Sequence, residues 1–363
     1  MADADPRIDR LRLIRSANVG PITYRQLVAR FGSATAALEA LPHLAARGGG
    51  RAPVIASEDA VMREIARTER LAARYLFLDD ADYPPLLAEI ENAPPALILR
   101  GRLELVARPC VAMVGARNAS AAACRFARQL AEALAGEGIT VVSGLARGID
   151  TAAHAGSLAG GTVGVIASGI DIAFPPENAA LQESVAERGL LVAEQPPGTE
   201  PRARHFPYRN RIIAGLSQGT VVVEAAPKSG SLITARLAAE AGREVMAVPG
   251  SPLDPRAQGC NLLIREGATL IQSAADVAEM LRPIDPRSVR SPSSRYAAEP
   301  VAEDAGEAER RRVTDLLSPV PVPVDELVRQ SALPAAVVQI VLLELELAGR
   351  LERHAGGRAS LAG

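Results

Sequence analysis

Between Cys110 and Leu281, short apolar runs alternate with stretches of helical period. The runs fall at residues 111–114, 140–142, 162–166, 190–193, 220–223 and 244–248, and a helical segment separates each from the next. Short, mainly apolar runs of three to five residues suit strands covered on both faces, so the pattern predicts an α/β fold with an extended Rossmann-like, doubly wound parallel sheet. A binding crevice then belongs at the C-terminal ends of the strands.

The flanks read differently. Ile8, Leu11 and Ile14 share one helical face, Asn18-Val19-Gly20-Pro21 interrupts it, and Thr23 with Gln26 forms a capping box for a second helix ending near Gly32. This is the outline of an all-α, SAM-like or helix-hairpin-helix domain over residues 1–82, whose hairpin offers the Val19 and Gly20 N–H groups to a phosphate or serves a structural or partner-binding purpose. Residues 48–50 are a glycine loop, a further helix covers residues 57–75, and a Pro-rich stretch at 83–95 opens the sheet domain, 83–282. Residues 283–306 are too poor in apolar residues to fold and form a linker. Helices at 310–317, 325–330 and 335–347, then a hairpin at 350–354 before Gly356-Gly357, predict a winged-helix domain over 307–363. Its third helix carries Glu344 and Glu346 and no Lys or Arg, which points to protein contact or self-association rather than a DNA groove.

Composition narrows the function. A chain of 363 residues with 48% hydrophobic residues has core material for two or three domains, and a net charge of −2 leaves any polyanion surface to local clustering. Cys110, Cys124 and Cys260 are isolated, without metal or redox spacing, which suits a reducing cytoplasm. No signal peptide or bilayer-length apolar run is expected, so neither a membrane nor a metal enters the picture.

The chemistry gathers in the turns after the strands. Val114-Gly115-Ala116-Arg117-Asn118 opens a helix whose free N–H groups and Arg117 suit an anion. A dinucleotide site would continue as G-x-G-x-x-G, with an acid ending the second strand; here Ser143-Gly144 stands there, so NAD and FAD are disfavoured and no cofactor is expected. The second turn, Ser143-Gly144-Leu145-Ala146-Arg147-Gly148-Ile149-Asp150, allows close backbone approach to phosphate. Asp150 and His154 lie at i and i+4; an acid–base or metal element is one reading, and a helix-terminal charge paired with an imidazole is the favoured one, because no further ligand shows metal spacing.

The segment from Arg202 to Arg211, including Phe206, Arg209 and Asn210, holds four arginines, a histidine and two aromatics without an acid. That combination supplies cations for a backbone and rings for bases, and it is weighed above a solvated or subunit-contacting arginine cluster. Lys228-Ser229-Gly230-Ser231 is a phosphate cradle lacking P-loop spacing. Glu224 nearby orients an arginine or serves as a catalytic acid or base. Gly259-Cys260-Asn261 adds backbone donors or is an ordinary helix cap.

Taken in order, Val114-Gly115-Ala116-Arg117, the 143–150 turn with His154, Phe206-Pro207-Tyr208-Arg209-Asn210-Arg211, Lys228-Ser229-Gly230-Ser231 and Val248-Pro249-Gly250 resemble the motif series of the bacterial DNA-processing protein A (DprA/Smf) family. The resemblance implies a non-catalytic homodimer that binds single-stranded DNA and loads RecA recombinase onto strands taken up in natural transformation. By position it places the basic pocket on Arg117, Arg209, Arg211 and Lys228, with Gly115, Gly144 and Gly230 against phosphates. Ala116 stands where many relatives have Ser. A competing enzyme class rests on Gly219-Thr220 followed by Glu224, which loosely resembles the Gly-Thr…Glu element of nucleotide phosphoribohydrolases acting on nucleoside monophosphates.

Overall fold

A computed structural model describes residues 5–51, 53–282, 305–354 and 356–362. The expected linker at 283–306 falls, except for its last two residues, outside the described residues. The chain divides into two compact units, one formed by residues 64–290 and the other by 1–63 together with 291–363.

The first of these is built on nine strands: β1 (Arg74–Phe77), β2 (Ala96–Gly101), β3 (Cys110–Val114), β4 (Thr140–Ser143), β5 (Thr162–Gly169), β6 (Leu190–Gln195), β7 (Gly219–Val222), β8 (Glu244–Ala247) and β9 (Thr269–Leu270). They lie in the order β1-β2-β6-β5-β4-β3-β7-β8-β9. From β6 to β9 every pairing is parallel. Chain order reverses at β3, which has β4 on one side and β7 on the other, and this switch point sets the crevice.

Side-chain alternation explains the apolar runs. Ala112 and Val114 of β3 enter the core on one face with Ile212, Ile213 and Ala235, whereas Val111 and Met113 enter the core on the other with Leu130, Ala153 and Val277. Both faces are therefore covered by helices, and the central strands are apolar along most of their length.

Two strands not read from the sequence extend the parallel sheet: β1 pairs antiparallel with β2 and β2 antiparallel with β6. The helix expected at 57–75 is Glu58–Arg70, stopped where Ala72 takes φ +53°, after which Arg74 enters β1. The sheet thus begins ahead of residue 83, because Tyr75 and its neighbours find partners on Ala96–Gly101.

The other unit opens with helices Pro6–Arg15, Pro21–Phe31 and Ala34–Arg47. Pro21 itself starts the second helix behind an N-cap Gly20 with no side-chain cap, so Thr23 is a buried helical residue rather than a cap. Helices Glu307–Asp315, Val324–Ser331 and Ala335–Leu347 follow, with the three-stranded sheet β10 (Val322–Pro323), β12 (Arg358–Leu361), β11 (Leu351–His354), completing a winged helix. The Ala335–Leu347 helix packs on the N-terminal helices: Leu343 and Leu347 share a core with Leu13, Tyr24 and Leu27. The glycine loop permits this, since a Cβ on Gly48 would stand 2.1 Å from the Glu344 carbonyl oxygen.

The acids of that helix serve the same assembly. Arg310 donates to both Glu344 oxygens at 2.7 and 3.0 Å, and Arg353 to Glu346 at 2.8 Å. Both acids are thus paired inside this unit. The N-terminal hairpin takes part, Asn18 donating to the Leu347 carbonyl at 3.3 Å, and a Cβ added at Gly20 would stand 3.8 Å from the Glu346 carboxylate.

Candidate nucleic-acid interface

Gly115 ends β3 where there is no room for a side chain: its Cβ would lie 2.5 Å from Ile149 Cγ1 and 3.0 Å from the Glu224 carbonyl oxygen. The Ala116 N–H donates to that oxygen at 2.7 Å, binding the β3 turn to the end of β7. Glu224, only 7% exposed, accepts the Ser120 N–H at 3.0 Å and the Ser120 hydroxyl at 2.7 Å. Ser120 in turn caps the Ala121–Gly136 helix. The hydrogen bonds of the Glu224 carboxylate thus go to Ser120 and not to an arginine. Its charge is held at a helix N-terminus, where such a charge is favoured.

The turn after β4 is rigid for several reasons. Gly148 takes φ +74°, and a Cβ there would meet the Ala116 carbonyl oxygen at 2.3 Å, so the two turns touch through backbone. Leu145 sits at φ +57°, and Asn178 holds its carbonyl at 2.8 Å and the Thr151 hydroxyl at 3.0 Å. Ser143 is fully buried and donates its hydroxyl to the Met113 carbonyl at 2.7 Å, so it offers nothing to a ligand. Arg147 is exposed and ion-paired with Glu177.

Asp150 and His154, expected as a pair, have separate partners. Asp150 accepts the Ala146 N–H at 3.3 Å; burial raises its carboxyl, opposed chiefly by the charge of Arg209. His154 shares a 2.7 Å hydrogen bond with Thr162 through Nδ1, and burial, helped by Arg209, pushes it down to about 3, which keeps the imidazole neutral. Among the described residues no group of three or more His, Cys, Asp or Glu could hold a metal ion.

The arginine-rich segment is a helix rather than a loop over most of its length. His205–Gly215 is helical, and Ile212 and Ile213 face the core, which carries Arg209 and Arg211 inward with them. Arg209 is 7% exposed and lies against Gly144, where an added Cβ would stand 1.8 Å from its Nη1. Burial pulls its guanidinium down, against the opposing charge of Asp150. Arg211, 4% exposed, donates to Glu194 at 2.5 Å. Asn210 is buried between them. The basic pocket expected on Arg117, Arg209, Arg211 and Lys228 is therefore split: Arg117 and Lys228 face solvent, joined by Arg202 and Arg204, while the other two are internal.

Rings collect at the same edge. Phe206 is partly buried, with the Arg117 guanidinium 5.1 Å and that of Arg209 6.0 Å from its centroid. Phe174, which the sequence did not single out, lies 5.8 Å from Phe206, and Tyr208 is 51% exposed.

The turn after β7 carries Lys228, and Ser229 and Ser231 share a hydrogen bond at 2.7 Å before the Ser231–Glu240 helix. Gly230 has φ −62° and open space around it, so its lack of a side chain leaves access rather than relieving strain. Asn261 is committed to the Gly250 backbone, accepting at 3.2 Å and donating at 2.9 Å. Gly219 and Thr220 start β7, whose last residue is Val222, so Glu224 lies beyond the other end of the strand, and Thr220 is fully buried. The Gly-Thr…Glu element is thus not assembled in the crevice.

The geometry agrees with comparisons to known proteins. A family model described as DNA recombination-mediator protein A matches residues 74–282, a DprA-like N-terminal HHH domain matches 4–66 and a DprA winged helix domain matches 297–357. DNA processing protein DprA of Streptococcus pneumoniae (strain ATCC BAA-255 / R6) is 46% identical over 205 residues, 56% of this chain and 72% of that protein. The X-ray structure of DprA from Streptococcus pneumoniae aligns with TM-score 0.64 at 33% identity, covering 77% of this chain and 98% of that one. A DprA structure from Helicobacter pylori, described for its single-stranded DNA binding mode, aligns with TM-score 0.53 at 28% identity, covering 57% and 95%. With its sheet, its switch-point turns and both flanking domains matched, this chain belongs to the DNA recombination-mediator protein A family.

Proposed function

We propose that this chain binds single-stranded DNA along the switch-point crevice and acts as a recombination mediator, presenting the bound strand to a RecA-type recombinase in the cytoplasm during natural transformation. The observation that carries the reading is the meeting, at one sheet edge, of backbone turns at Gly115, Gly144 and Gly148, exposed cations Arg117, Arg202, Arg204 and Lys228, and the rings of Phe174, Phe206 and Tyr208. Phosphates need the first two sets and unstacked bases the third. Family membership and the Helicobacter pylori relative add support.

A non-catalytic role fits the commitment of Glu224 to Ser120, of Ser143 to Met113 and of His154 to Thr162. Pairing of two subunits is supported by the open β9 edge and the exposed Leu253, Leu262 and Leu270. Among the described residues no single helix is long and apolar enough to cross a membrane.

The test is a salt titration of oligo-dT binding. Wild-type affinity falls steeply with salt, and Arg117→Ala and Lys228→Ala each weaken binding and flatten the slope by about one. Unchanged affinity and slope in both variants rejects the site, and release of free base from nucleoside monophosphates supports the enzyme class instead. Arg211→Ala is expected to act on stability, because it strands Glu194.

A further inference from the structure

Ring-bearing side chains are few in this protein, five Phe, five Tyr and no Trp, and their exposure is uneven. Tyr24, Phe77 and Tyr83 are buried. Among the described residues the aromatic side chains counted as exposed are Phe174, at 43%, and Tyr208, at 51%, and both lie at the crevice edge. Leaving a phenyl ring in water gives up the burial that most such rings obtain, so the exposed ring of Phe174, set against Phe206 beside the crevice, points to a ligand with a flat apolar face.

Phe206 is the ring that the sequence pattern brings forward, yet it already has neighbours. Phe174 meets it at 5.8 Å with the planes 57° apart, and Arg117 lies over it at 5.1 Å. The tilted contact closes the space between the two rings, and the guanidinium occupies Phe206 further. The surface left open is that of Phe174, which Phe206 props from one side and which stands within the same cluster as the phosphate-facing Arg117.

We infer that Phe174 is a base-stacking platform: one nucleobase of the bound strand lies on its exposed ring while the neighbouring phosphate meets Arg117. This rests on the single-strand binding proposed above and adds the chemical class recognised, an unpaired nucleobase rather than sugar-phosphate alone. A stacked base releases no counterions, so the contribution of Phe174 differs from that of Lys228 in its dependence on salt.

The experiment compares wild type, Phe174→Ala, Phe174→Leu and Phe174→Trp for binding to oligo-dT and to an abasic oligonucleotide of equal length, across salt. Phe174→Ala is expected to weaken oligo-dT binding roughly 5- to 100-fold with an unchanged salt slope, to bind the abasic strand as wild type does, and so to lose the preference for dT. Phe174→Leu, which keeps apolar bulk without a π face, follows Ala, and Phe174→Trp restores binding; this pair decides the matter if the alanine variant does not fold. Wild-type affinity in Phe174→Leu, or equal losses on the dT and abasic strands, overturns the platform while leaving single-strand binding intact. Failure of the wild type to bind either strand overturns the underlying reading instead.

Discussion

Replacing Glu224 separates its structural and functional meanings. Its two oxygens accept the Ser120 N–H at 3.0 Å and the Ser120 hydroxyl at 2.7 Å, both hydrogen bonds to a charged acceptor with 7% exposure. Such bonds contribute about 1.5–3 kcal/mol each, and a carboxylate at a helix N-terminus adds about 0.3–1 kcal/mol. Glu224→Ala removes all of this, a loss of about 3–7 kcal/mol. Glu224→Gln keeps one carbonyl acceptor and turns its amide toward the Ser120 hydroxyl, so the loss falls to about 1–2 kcal/mol. For a unit of this size each kcal/mol moves Tm by about 2–4 °C; thermal unfolding should therefore drop by about 2–8 °C for Gln and clearly more for Ala. Binding moves the opposite way. Removing a negative charge beside the crevice lessens the repulsion of a bound phosphate, so Glu224→Gln should hold oligo-dT somewhat more tightly at low salt. A tenfold or greater loss of binding by a cooperatively folded Glu224→Gln protein refutes this reasoning, and so does an unchanged Tm in Glu224→Ala.

Two further expectations concern other parts of the molecule. His154 is held at about 3 in the folded state against 6.5 for a free imidazole, so below pH 6.5 the unfolded chain takes up a proton that the native state refuses. The stability involved is complete above pH 6.5 and is lost as pH falls toward 3, by up to about 1.4 kcal/mol per pH unit; Asp150, whose carboxyl burial raises, acts with the opposite sign in any His154 variant as well. Urea unfolding between pH 7.5 and 4.5 should show a one-proton shallower dependence in His154→Gln, and parallel curves for the two proteins contradict it. In the other unit, Gly48→Ala forces a methyl group to within 2.1 Å of the Glu344 carbonyl oxygen, a backbone atom that cannot step aside. It should cost about 2–3 kcal/mol by overpacking and speed amide hydrogen exchange around Leu343 and Leu347 while leaving oligo-dT affinity unchanged; wild-type exchange there would deny the docking role of the loop.

The distance between expectation and structure is instructive at particular residues. The strands were legible because a segment covered on both faces must be apolar throughout, and Val111 to Val114 announce this without reference to any partner. Gly115 and Gly148 were legible as turn residues, and the tertiary contacts made their necessity sharper. The strand Arg74–Phe77 was hidden because Leu71-Ala72-Ala73 continues a helical period until Ala72 adopts a left-handed conformation. Arg209 and Arg211 read as phosphate-binding cations because four arginines in ten residues come without an acid; nothing nearby in sequence announces that Asp150 and Glu194 supply their counter-charges.

What the sequence determined by itself is what depends on nearest neighbours along the chain: the apolar period of each element, the turns that exclude a side chain, the missing dinucleotide fingerprint and the order of motifs that marks the family. Tertiary structure alone decided which charges face solvent and which are neutralised inside. Glu224 meets Ser120 across 104 positions, Arg310 meets Glu344 across 34, and Phe174 leans on Phe206 from a separate strand end. The physical reason is that burial and counter-charge act through space: whether an arginine binds phosphate or a carboxylate behind it depends on the partner that folding brings within a few ångströms, which no local pattern specifies.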